Sequence, residues 1–245
     1  VGSEMCIRDR YKELKSSNFL VDIDSRKIRK GSVFFAIKGD NFNGNEFISD
    51  ALKNGSRLAI SDQNNPNFND NHNVIKVSNS LSTLQELSKF HRKKCNAKVI
   101  GITGSNGKTT TKELIYSVLS SNFKTICTPG NFNNHIGLPL SLFEIRHDTE
   151  FAIIEMGANN FGEIAFLTSL CEPDYGYITN FGKAHLEGFI DINGVIKAKT
   201  ELYEWIIKND KTLLINGEDK NQKKFDNHKH IMFGCGENFQ FNFRE

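Results

Sequence analysis

The chain has 245 residues, 38% of them hydrophobic, which is enough for one large or two ordinary domains with buried cores. Its 31 Lys and Arg against 29 Asp and Glu leave a formal net charge of +2, so there is no global electrostatic case for nucleic acid or an anionic membrane surface, and any anion must be caught locally. No apolar run approaches the roughly 18 residues needed to span a bilayer, and the first residues lack the apolar centre of a secretion signal.

The five cysteines (Cys6, Cys95, Cys127, Cys171, Cys235) are scattered, with no C-x-x-C pair. They read as free thiols in or near cores in a reducing compartment, and the expected location is cytoplasmic.

Residues 1–10 show neither helical nor strand periodicity, and residues 1–18 read as a leader that is a candidate non-native segment. From Phe19 the pattern becomes regular. Residues 32–37 and 57–61 read as strands, 47–53 as a short helix, 64–73 as an Asn/Asp-rich loop around Pro66, and 73–77 as a strand. Leu81, Leu84, Leu87 and Phe90 lie at near-helical spacing, closed by Arg92-Lys93-Lys94 as suits a helix C-terminus. Residues 19–95 are therefore expected to form a small N-terminal α/β domain, with the boundary within 95–98.

Beyond it, residues 99–103, 151–156, 175–179 and 212–215 have the apolar look of buried parallel strands. Helical patterns separate them, notably 112–119, where Leu114, Ile115, Val118 and Leu119 are placed on one apolar face. This alternation predicts a doubly wound parallel sheet over 96–245, so the fold class is α/β throughout.

The chemistry concentrates where the first of these strands meets its helix. In Gly104-Ser105-Asn106-Gly107-Lys108-Thr109-Thr110, glycines let successive N–H groups point inward and a helix N-terminus adds partial positive charge, which suits a polyphosphate. Lys108 is then expected to reach the β/γ-phosphates and Thr109 to ligate Mg²⁺. The strict phosphate-loop pattern has Gly where this chain has Ile102, so the match is to a shortened form.

In open α/β sheets, ligands collect outside the carboxyl ends of the strands. Glu155 ends the second strand, where a Mg²⁺ ion on ATP needs an oxygen ligand; the bland alternative is a strand-end Glu paired with a lysine. His185, in Asn180-Phe181-Gly182-Lys183-Ala184-His185, lies near the same rim and is a candidate ligand for a second metal or a structural histidine. The segment Asn131-Phe132-Asn133-Asn134-His135 is either a loop whose amides satisfy their own backbone or a place where Asn134 and its neighbour Asn133 face a polar substrate.

At these residues the sequence closely resembles the Mur ligases, and within them the branch that adds D-alanyl-D-alanine to UDP-N-acetylmuramoyl-tripeptide. The carriers are the loop at 104–110, Gly-Asn-Phe-Asn-Asn-His-Ile-Gly-Leu-Pro-Leu at 130–140, Glu-Met-Gly-Ala at 155–158, Thr-Asn-Phe-Gly-Lys-Ala-His-Leu-Glu-Gly-Phe at 179–189 and Lys-Ala-Lys-Thr-Glu-Leu at 197–202.

The resemblance implies that residues 96–245 are an incomplete ATP-binding central domain and that 19–95 bind a nucleotide sugar, with UDP near Ser25 and Arg26. One departure is Asn43-Gly44-Asn45-Glu46-Phe47, where relatives show an acidic residue and a His before the Phe. By the same resemblance, ATP with Mg²⁺ phosphorylates the peptide carboxylate and D-alanyl-D-alanine attacks the acyl phosphate. Lys108, Glu155, His185 and Lys199 are then the catalytic set. Thr109, Glu155, His185 and Lys199, the last as a carbamate, hold the metals, with Lys197 the near competitor.

Relatives continue through the rest of the central domain and a third domain. The expectation is therefore a monomeric piece that binds nucleotide weakly and does not ligate by itself. Alternatives are a sister ligase adding the third peptide residue and a nucleotide-binding module without ligation.

Overall fold

The computed structural model describes residues 6–39, 42–64, 72–182 and 191–235, with the backbone of 241–243. The chain divides into two compact units, Val1–His91 and Arg92–Glu245.

The first unit runs α1 (Ile7–Ser16), β1 (Val21–Asp22), β2 (Val33–Phe35), the hairpin strands β3 (Lys38–Gly39) and β4 (Phe42–Asn43), α2 (Ile48–Lys53), β5 (Leu58–Ser61), β6 (Val74–Lys76) and most of α3 (Ser80–Lys94). Strands β1, β2, β5 and β6 form a parallel sheet in that order, with Val33 opposite Leu58 and Phe34 opposite Ala59. Every residue of β2 and β5 is buried, which is why both read as short continuous apolar runs. Phe34, Ala36 and Ala59 pack against Ile48 and Ala51 at the start of α2.

Helix α1 corrects the expectation of an aperiodic beginning, because Ile7 to Arg10 are helical. One buried apolar side chain, Leu14, and an ion pair of 2.8 Å between Glu13 and Arg57 order a helix that its own hydrophobic pattern does not announce. The loop read at 64–73 falls largely outside the described residues.

The second unit contains β7 (Lys98–Thr103), α4 (Lys108–Leu119), β8 (Thr125–Cys127), α5 (Gly137–Phe143), β9 (Phe151–Glu155), α6 (Glu163–Cys171), β10 (Tyr175–Ile178), α7 (Ile192–Lys208), β11 (Thr212–Asn216), β12 (His230–Cys235) and β13 (Phe241–Phe243). Its seven strands are all parallel, in the order β13-β12-β11-β10-β7-β9-β8. From β7 the chain goes to the edge strand β8, returns to β9 beside β7, and then crosses to β10 on the other side of β7. The switch point therefore lies between β7 and β10, and this is where such sheets form a crevice at their carboxyl ends.

Side chains alternate across this sheet. Ile100, Ile102 and Ile153 pack with Ile115, Tyr116 and Leu119 of α4, whereas Val99, Ala152 and Ile154 join the larger core that α5, α6 and α7 cover. Burial on both faces explains the apolar strand sequences.

Helix α4 departs from the expected apolar face. Leu114 and Val118 are 64% and 71% exposed, and the inward row is Lys112, Ile115, Tyr116 and Leu119. The spacing i, i+3, i+4, i+7 is preserved, but its first position is a lysine, so hydrophobicity alone places the stripe about one side too far round. The thiols also divide differently from expectation: Cys171 is buried, Cys95 and Cys127 are half-buried, and Cys6 and Cys235 are exposed.

Candidate functional site

Three strand ends converge at the switch point. Thr103 closes β7, Glu155 closes β9 opposite Ile102, and Ile178 closes β10 opposite Thr103. The Thr103 hydroxyl donates to the Met156 carbonyl at 2.9 Å, tying the first two ends together.

From Thr103 the chain turns through Gly104, at φ +146°, to Gly107, at φ +74°, which caps α4. Both conformations favour glycine. The first-turn N–H groups of α4 have no helical partner upstream and carry the positive end of the helix dipole. Lys108 opens the helix, and its Nζ donates to the carbonyls of Gly104 (2.8 Å) and Ser105 (3.1 Å), so the ammonium lies across the loop. Burial pushes this ammonium's pKa down, against a smaller opposing pull from Glu155. Thr109 and Thr110 are exposed on the first turn. The predicted phosphate-loop residues thus form one continuous strand–turn–helix element.

Glu155 is 1% exposed. Its N–H donates to the Thr128 hydroxyl at 2.9 Å and its Oε1 accepts from Asn133 Nδ2 at 2.9 Å. Its Oε2 is buried and accepts no hydrogen bond. The Lys112 ammonium, itself fully buried, stands 3.9 Å from that oxygen while donating to the Thr128 carbonyl at 2.7 Å and more weakly to Gly130 at 3.4 Å. Leaving a buried carboxylate oxygen unbonded is costly, and a hard cation at the edge of a phosphate loop would satisfy it. The site therefore fits a Mg²⁺ ion.

Lys199 projects from α7 and is 2% exposed. Burial, then the charge of Lys108, push its pKa down to about 8, opposed by Glu163 and Glu201. Lys108, Glu155 and Lys199 are thus linked electrostatically, Lys108 to each of the other two. Lys197 is exposed, with its ammonium 5.7 Å from the centre of the Phe161 ring. His185 lies outside the described residues. Among the described residues, no three His, Cys, Asp or Glu side chains stand together as a metal cluster.

Asn133 and Asn134 behave differently. Asn133 turns to Glu155, while the Asn134 oxygen accepts from the N–H groups of Ile136 (3.1 Å) and Gly137 (2.9 Å) and so serves its own turn.

The first unit carries a separate cleft of about 640 Å³ whose lining includes Ser25, Arg26, Phe42, Phe47 and Asn54. The Arg26 guanidinium holds Asp24 in two bonds of 2.9 Å and brings that carboxyl's pKa down to about 2. Phe42 and Phe47 stack with ring centres 5.7 Å apart. Asn45, at the departure from the family pattern, is buried and bonded to Asn43, Ser61 and Asp62.

Sequence reasoning gave no site role to Lys112 or Thr128, and it quoted Thr179 and Asn180 only as members of a motif. For Lys112 a signal existed, since it lies three and four residues before Ile115 and Tyr116 on the inward row. The others act through contacts distant in sequence.

Comparison with known proteins identifies the family of both units. The Mur ligase middle domain matches residues 102–244, and the Mur ligase family catalytic domain matches residues 20–92. The UDP-N-acetylmuramoyl-tripeptide--D-alanyl-D-alanine ligase of Bacillus subtilis is 40% identical over 199 residues, covering 81% of this chain and 43% of that protein. The ligase of the same name from Haemophilus influenzae is 37% identical over 216 residues, covering 85% and 47%. Among solved structures, the MurF ligase of Thermotoga maritima in complex with ADP superposes with a TM-score of 0.78 at 33% identity, over 88% of this chain and 50% of that one. The chain thus spans less than half the length of these two curated relatives.

Proposed function

The chain belongs to the Mur ligase family, and on that premise we propose that it supplies the nucleotide-sugar and ATP sites of a ligase joining D-alanyl-D-alanine to UDP-N-acetylmuramoyl-tripeptide. The observation that carries the reading is the buried, unbonded Oε2 of Glu155 beside a phosphate loop. The names of its relatives supply the substrates.

In this reading the amides of 107–110, at the start of α4, hold the ATP polyphosphate, and Lys108 leaves the loop carbonyls to neutralise charge on the transferring phosphoryl group. The peptide carboxylate of the nucleotide sugar attacks the γ-phosphorus, ADP departs, and an acyl phosphate results. The amine of D-alanyl-D-alanine then attacks the acyl carbon and expels phosphate. Thr109, Glu155, His185 and Lys199 would hold Mg²⁺. When bound, that ion supplies charge neutralisation between an anionic nucleophile and an anionic phosphate.

Lys199 takes part only after its neutral amine adds CO₂ and releases a proton, which replaces a cation with an anion. Its depressed pKa supports this role, because a larger share of the amine is neutral near physiological pH. Glu155 is kept in place by Asn133, and the first-unit cleft with Ser25 and Arg26 receives the UDP group.

The test is phosphate release by a protein that carries this segment at the full length of its relatives, with ATP, Mg²⁺, UDP-N-acetylmuramoyl-tripeptide and D-alanyl-D-alanine each omitted in turn. Dependence on all four is expected. Turnover indifferent to D-alanyl-D-alanine would replace this reading with a sister ligase or a nucleotide-binding module.

A further inference from the structure

The segment after β10 grips the phosphate loop by its backbone. The Asn180 carboxamide spans one residue of the loop: its Oδ1 accepts from the Asn106 N–H at 3.1 Å, and its Nδ2 donates to the Asn106 carbonyl at 3.0 Å. The Thr179 hydroxyl donates to that same carbonyl at 2.6 Å. In return, the Ser105 N–H donates to the Asn180 carbonyl at 3.1 Å and the Ser105 hydroxyl to the Gly182 carbonyl at 3.0 Å. Two glycines permit this approach. A Cβ on Gly104 would collide with the Thr179 hydroxyl, and one on Gly182 would come within 2.9 Å of Asn106 Nδ2.

We infer that Asn180, assisted by Thr179, is the positioning residue of the phosphate loop, fixing the backbone of Ser105 and Asn106 so that the amides that follow, at the start of α4, stay turned towards a polyphosphate. A glycine-bearing turn loses much conformational freedom when it closes on a ligand. Anchoring it beforehand to the end of a central strand removes that loss from the binding step. The anchor is specific for asparagine, because the Asn106 N–H requires an acceptor and its carbonyl a donor at neighbouring points. Aspartate offers two acceptors and sets a negative charge beside the carbonyl and the bound phosphates. Asn106 is exposed, so the bonds govern the loop more than the core.

This inference rests on the phosphate-loop reading, and its test separates the two. Asn180→Ala, Asn180→Asp and the nearly isosteric Thr179→Val are made in the full chain. Amide hydrogen exchange is followed without nucleotide, and a fluorescent ATP analogue is titrated with Mg²⁺.

Asn180→Ala is expected to speed exchange at residues 105–107 while β7 stays protected, and to weaken nucleotide binding about tenfold, as loss of two hydrogen bonds implies. Asn180→Asp weakens it further, and Thr179→Val less. Unchanged exchange at 105–107 in Asn180→Ala and Thr179→Val overturns the inference, as does unchanged affinity. Lys108→Ala is the control for the site itself. If it binds nucleotide as tightly as the unaltered chain, the phosphate-loop reading falls, while the exchange data still decide whether Asn180 holds the loop.

Discussion

The ammonium of Lys112 stands 3.9 Å from Oε2 of Glu155, and both side chains are buried in the second unit. A cation and an anion desolvated together tolerate each other's presence, and neither tolerates the other's removal. The same ammonium holds the Thr128 and Gly130 carbonyls, at the start of the segment that brings Asn133 to Glu155.

Lys112→Met keeps the length of the side chain and removes its charge. It should cost about 3 kcal/mol of stability, because a buried carboxylate is left without its cation and Thr128 without its donor. Urea unfolding measures this, and a loss below about 1 kcal/mol would mean that the pair is more hydrated than its burial indicates.

Gly137 is the second sensitive point near the site. A Cβ there would stand 2.5 Å from the Phe132 Cα, a backbone atom that cannot swing aside. Gly137→Ala is expected to destabilise the unit by about 2 kcal/mol through overpacking and to displace Asn133 from Glu155. Thermal unfolding gives the first effect, and the Mg²⁺ requirement of phosphate release by a protein carrying this segment at the full length of its relatives gives the second. A variant with wild-type stability would show that the 132–137 turn relaxes freely.

Lys199 provides a chemical prediction. With its pKa pushed down to about 8, the neutral fraction of the amine rises as pH increases from 7 to 9, and carbamate formation should rise with it. Labelled bicarbonate should give a carbamate carbon resonance that Lys199→Ala lacks. If the resonance persists in Lys199→Ala and vanishes in Lys197→Ala, the modified lysine is the exposed neighbour.

Asp174 predicts acid sensitivity. Burial pushes its pKa up, but hydrogen bonds from Lys211 and the Val99 N–H, with the charges of Lys211 and Arg92, outweigh this and hold it below the ordinary carboxylate value. A depressed folded-state pKa stabilises the fold above the unfolded value, and that contribution is lost as pH falls through the folded one. Stability should therefore decline below about pH 4. Asp174→Asn should lose about 3 kcal/mol at neutral pH and show a shallower acid decline. Parallel acid curves for the two proteins would assign the sensitivity elsewhere.

Much of this protein was legible because its signals are local. Buried parallel strands announce themselves as apolar runs, and a strand running into Gly-Ser-Asn-Gly-Lys-Thr-Thr and then an amphipathic stretch reads as a strand–turn–helix element from near neighbours alone. The strand-end position of Glu155 followed from the same reading. Local pattern also had limits: it set Leu114 and Val118 on the packed face of α4, where the structure exposes both and buries Lys112.

By itself, then, the sequence determined the α/β alternation, the parallel strands and the strand–turn–helix element at 98–119, since each depends on residues within a few positions of one another. Only the tertiary structure decided that the side chains of Lys112 and Lys199 are buried, that one Glu155 oxygen goes unbonded, and that Asn180 holds Asn106. Asn180 and Asn106 are 74 residues apart. Charge and hydrogen bonding act over a few ångströms, and which groups come that close depends on the order of strands in the sheet, which no local pattern of residues encodes.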